Sequence, residues 1–105
     1  ARIVSVPCFR VLDLQPYDYR ISVLPSGNPI MSVEAYSTFG WGVYSHVHHG
    51  INTFGVSAPY QKAYEKFQLT DHDVADKAQK VVEYYKKLGQ VPSPIAIQAA
   101  LELQQ

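Results

Sequence analysis

Three histidines crowd the middle of the chain, His46, His48 and His49, in the stretch SHVHHG. In a strand, His46 and His48 share one face and supply two ligands to a divalent metal. A zinc site needs three or four Cys, His or carboxylate ligands. The lone cysteine, Cys8, is distant, and no two histidines stand four apart as a helical metal pair would. The expectation is surface or interface histidines, with a metal-binding protein as an alternative. Cys8 follows Pro7 at a possible helix start, where a thiolate is favoured. No histidine adjoins it, so a buried structural cysteine is expected. Glu34 falls near the carboxyl end of a strand, the edge where open α/β sheets bind ligands. It has no visible second carboxylate for acid–base work, and Arg20 or Tyr36 are its candidate partners. A structural or interface role is expected for it.

The stretch GINTFGVSAP, Gly50 to Pro59, is rich in small residues. It matches neither G-x-x-x-x-G-K-[ST] nor G-x-G-x-x-G. The amides of Ser57 to Tyr60 could meet a phosphate at a helix start. The favoured reading is a tight connection in which glycine permits unusual backbone angles and Phe54 packs into the core. The residues therefore assemble no complete constellation: no catalytic, cofactor-binding or metal-ligating residue is assigned.

The elements that would position these groups come from pattern. The chain has 105 residues, 47% of them hydrophobic and 17% charged, which suits one globular domain. Nine basic residues balance nine acidic ones. That zero balance lacks the basic footprint of a nucleic-acid binder and gives no pull toward an anionic membrane. No apolar run reaches spanning length. One cysteine excludes an internal disulfide and fits an intracellular setting. Residues 2–6 (RIVSV) read as a buried strand, with no initiator methionine before them, as in a domain cut from a longer chain. Helical turns follow around 9–14 and after Pro16. Residues 29–35 read as a second strand, with Met31, Val33 and Ala35 on one face and Ile30, Ser32 and Glu34 on the other. Residues 50–54 read as a short third strand.

Ala63, Tyr64 and Phe67 share a helical stripe after Pro59. Thr70 and Asp73 form a near-capping box for a helix that Gly89 stops. Val74, Ala78, Val81, Val82 and Tyr85 form its apolar stripe. The pairs Asp73–Lys77, Asp76–Lys80 and Glu83–Lys87 lie on its outer face. After VPSP, residues 95–105 hold a last short helix. Strands separated by helical segments indicate an α/β, three-layer fold: a mostly parallel sheet of few strands flanked by helices. Residues 1–88 make the domain and 89–105 a C-terminal tail. By composition and spacing alone, a non-enzymatic α/β binding module for a nucleotide, an anion or a protein stays open.

The ordered blocks RIVSVPCF, QPYDYRISVLPSGNPIMSVEA, STFGWGVYSH, GINTFGVSAPYQKAYEKF and LTDHDVADKAQKVVEYYK closely resemble the C-terminal domain of transketolases. The most specific pieces are QP-x-x-YR-x-SVLP (15–25), SVEA (32–35) and TFG-x-SAP (53–59). Dihydroxyacetone synthase is the next nearest family. The resemblance implies a parent enzyme, cytoplasmic and of the pentose phosphate pathway, that moves a two-carbon ketol unit between sugar phosphates. It implies thiamine diphosphate and Mg²⁺ or Ca²⁺ held between two upstream domains at a homodimer interface. None of the family's metal ligands, its activating glutamate or its substrate-phosphate residues maps onto this sequence. The segment is thus expected to be structural, dimer-supporting or regulatory, and inactive alone. It is also expected to begin at the domain's second strand, with the first βα unit absent.

Overall fold

Prolines and capping residues set the helix starts. Pro16 stands before α2 (Tyr17–Val23) and Pro59 before α3 (Tyr60–Lys66). Pro94 is the first residue of α5 (Pro94–Ala100). Proline presets φ and lacks an N–H that the first turn would leave unpaired anyway. The remaining helices are α1 (Phe9–Asp13) and α4 (Asp71–Leu88). The computed structural model describes residues 1–52 and 59–101.

Helix α4 forms as its sequence predicts. Thr70 accepts from the Asp73 N–H, and the Asp73 carboxylate reaches back to the Thr70 N–H, which completes the capping box. Gly89 ends the helix at φ 81°, in the left-handed region that glycine occupies without a Cβ penalty. Thr70→Ala removes the cap and should cost about 1 kcal/mol. A urea midpoint equal to that of the parent chain would refute the cap's role. The stripe facing inward is Val74, Lys77, Ala78, Val81 and Tyr85. Two sequence expectations change here. Val82 is 54% exposed. Lys77 is turned inward and not onto the outer face, and its Nζ donates to the His48 carbonyl at 3.2 Å. Asp73 is committed to Thr70, so Lys77 is drawn to the nearest backbone acceptor instead.

The sheet among the described residues has two parallel strands, β1 (Met31–Val33) and β2 (Val47–His49), in the register Met31↔Val47, Ser32↔His48, Val33↔His49. Helices flank it, with α4 against β1. This is the expected α/β class, but the strands differ from the sequence reading in two ways. Residues 2–6 form no strand: they are largely exposed, Ile3 at 93%, and the Arg2 guanidinium donates to the Val23 carbonyl. β-branched residues favour a strand only where a neighbouring strand accepts their backbone groups, and none does so among the described residues. The pattern left open which face of β1 points inward, and it is Ser32 that is buried, while Val33 is 48% exposed. The inward face is set by the polar partners across the sheet, not by hydrophobicity. The second strand of the pair is the histidine stretch itself, just before the expected 50–54. The Ile30 carbonyl accepts from the His46 and Val47 N–H groups, and the His49 carbonyl accepts from Glu34 N–H. Residues 53 and 54, and with them the expected burial of Phe54, lie outside the described residues.

The core is built from Leu12, Leu24, Tyr44 and Ile95. Phe9 stacks on Tyr44 with ring centroids 4.6 Å apart and meets Trp41 edge-on at 4.7 Å. Trp41 belongs to a 3₁₀ turn, Trp41–Val43, in the connection between the strands. Helix α5 lies in the segment read as a tail. It packs against α2 and the 3₁₀ turn, with Ile95 3% exposed and Gln98 Nε2 donating to the Val43 carbonyl.

Candidate functional site

The three histidines sit at β2, and its geometry sends them apart. His46 Nδ1 accepts the Ile30 N–H at 3.0 Å. Its Nε2 lies 2.7 Å from the Pro92 carbonyl oxygen. A carbonyl only accepts, so these two partners assign the neutral Nε2–H tautomer to His46. The ring also rests against Tyr85 of α4, with centroids 5.3 Å apart. His46 thus ties the start of β1 to the chain entering α5. His49 is buried, and its Nε2 donates to the Gln68 carbonyl at 2.6 Å. Gln68 itself holds φ 58°, which turns the end of α3 so that this carbonyl meets the ring.

His48 points elsewhere. Its Nδ1 is 2.8 Å from Ser45 Oγ and 3.4 Å from Ser32 Oγ. The two hydroxyls are 3.1 Å apart, and Ser45 Oγ lies 3.3 Å from the Trp41 carbonyl. Ser32 and Ser45 are both buried, so this network satisfies hydroxyls that would otherwise be costly to desolvate. His46 and His49 are spent on backbone groups and His48 on hydroxyls. Among the described residues no three His, Cys, Asp or Glu side chains are grouped as a metal ion requires.

The other candidates also fall apart in space. Cys8 is exposed, not buried as expected, because it stands outside α1 as its N-cap. Glu34 Oε1 accepts the N–H of Ala35 at 2.8 Å. Neither expected partner takes up its carboxylate. Arg20 instead lies over the Tyr17 ring and donates Nε to the Gln15 carbonyl. Ser57 and Ala58 lie outside the described residues.

Gly50 explains part of the small-residue stretch. A Cβ there would lie 2.6 Å from the Tyr36 carbonyl oxygen, 2.9 Å from Thr38 Cγ2 and 3.2 Å from the Glu34 carbonyl oxygen. The same contact is sewn by Ile51 N–H to the Tyr36 carbonyl, 2.8 Å, and by Asn52 Oδ1, which accepts from Thr38 N–H at 2.9 Å and Thr38 Oγ1 at 3.1 Å. The carboxyl ends of β1 and β2, where an α/β ligand would enter, are joined by close backbone packing.

One polar pair was not legible in sequence. Tyr44 Oη donates to Asp13 Oδ1 at 2.6 Å across 31 residues. Burial pushes the Tyr44 phenol well above the usual tyrosine range, and the Asp13 carboxylate raises it further. No local spacing signals such a bond. The folded phenol holds its proton more tightly than the unfolded one. Its stabilisation is therefore complete below an unfolded tyrosine pKa of about 10 and is lost as the pH climbs beyond it. Between pH 9 and 12 the melting temperature should fall more steeply for the parent chain than for Tyr44→Phe. Parallel curves would overturn this.

The family follows from comparison. Residues 1–70 match the model described as the transketolase-like TK C-terminal domain. The chain belongs to this family. It is 48% identical over 95 residues to a probable transketolase of Schizosaccharomyces pombe, covering 90% of this chain and 14% of that protein. The crystal structure of a Pichia stipitis transketolase in complex with sedoheptulose-7-phosphate superposes with a TM-score of 0.75. It is 46% identical, over 79% of this chain and 12% of that one. A dihydroxyacetone synthase of Candida boidinii is 38% identical over 86 residues, covering 81% of this chain and 12% of that protein. The chain thus spans about one-seventh of the length of the transketolase relatives. With the family in place, the histidine and glycine contacts read as the internal ties of a transketolase C-terminal domain.

Proposed function

We propose that this chain is the C-terminal part of a thiamine-diphosphate-dependent transketolase, which transfers a two-carbon ketol unit between sugar phosphates. The observation that carries the reading is the 48% identity, over 90% of the chain, to a probable transketolase. The 38% identity to dihydroxyacetone synthase supports that parent less well. The domain takes in α5 as well as residues 1–88, because Ile95 shares the core cluster with Leu12, Leu24 and Tyr44. Its partners are the rest of the enzyme and a homodimer mate, and its setting is the cytoplasm. No helix among the described residues is long and apolar enough to cross a membrane.

The Mg²⁺ or Ca²⁺ of such an enzyme is held by its other domains; among the described residues no three His, Cys, Asp or Glu side chains are grouped for a metal ion. Both ions take oxygen ligands, carboxylates above all. No step of the transfer is routed through this segment. Its work is to pack, to support the dimer or to regulate.

The test uses the full-length polypeptide that contains this sequence, supplied with thiamine diphosphate and Mg²⁺. It should transfer a ketol unit from a ketose phosphate such as sedoheptulose-7-phosphate to an aldose phosphate, and lose that activity when the cofactor is withdrawn. The 105-residue chain should show none. A full-length protein without transfer would overturn the proposal, and one that forms dihydroxyacetone instead would point to the other parent.

A further inference from the structure

We draw no further inference here: the strongest candidate, the open groove of about 270 Å³ between α4 and the 27–29 turn, lined by Val82, Tyr85, Lys86 and Val91, sets its one cationic side chain beside the carbonyl end of a helix whose dipole opposes an anion, and nothing in the structure shows what covers it.

Discussion

Gly50→Ala is expected to destabilise the chain by about 1–3 kcal/mol, the usual cost of forcing an extra carbon into packed surroundings. The added methyl would lie 2.6 Å from one carbonyl oxygen and 3.2 Å from another. Both are backbone atoms, so neither can swing aside as the tip of a side chain would. Relief requires the loop after β1 to move away from the loop after β2. That movement stretches the bond from Ile51 N–H to the Tyr36 carbonyl and those from Thr38 to Asn52. Gly42 provides the control, because the nearest atom to its added Cβ is His48 Nε2 at 3.8 Å, an ordinary contact. Urea unfolding of both variants should show a lowered midpoint for Gly50→Ala and a nearly unchanged one for Gly42→Ala. Equal midpoints would mean that the two loops separate freely and that Gly50 has no packing role.

Ile95→Ala should cost more, about 2–5 kcal/mol, the range for removing a large aliphatic side chain from a core. Ile95 is 3% exposed and shares its cluster with Leu12, Leu24 and Tyr44. The cavity would open where α5 meets Leu12, Leu24 and Tyr44. Ile95→Val removes a single methyl group and should cost only about 0.5–1.5 kcal/mol. Thermal or urea unfolding that ranks the three proteins in that order supports the seat of α5. If Ile95→Ala unfolds at the same midpoint as the parent, α5 is not part of the core. Because Trp41 packs beside this cluster, its fluorescence reports the loss directly.

The family was legible because several blocks occur in the right order along residues 2–87, and a match over residues 1–70 agrees with it. That legibility did not extend to individual side chains. Spacing suggested surface or interface histidines, with metal ligands as an alternative, yet each finds its partner on a different segment: Ile30 and Pro92, Ser45, and Gln68. Spacing along one strand says which face a residue takes, but not what the rest of the chain brings to that face. Cys8 and Lys77 show the same gap. Whether a residue is buried depends on what packs over it, and for both the covering surface differs from the one their local pattern implies.

By itself, the sequence determined the helices. Thr70 with Asp73, the prolines at 16, 59 and 94, and Gly89 act within one turn of the residues they affect. Their hydrogen bonds close locally, so four neighbouring residues carry the whole signal. Tertiary structure alone decided the strands, the core seat of α5 and the fate of the polar groups. A strand exists only where another strand accepts its backbone; among the described residues the β-branched residues 2–6 find no such partner, while the histidine stretch becomes β2. The Tyr44–Asp13 bond and the Gly50 contact join segments that are far apart in sequence. Such contacts form only after the chain has folded back on itself, and no window of neighbouring residues contains both halves of them.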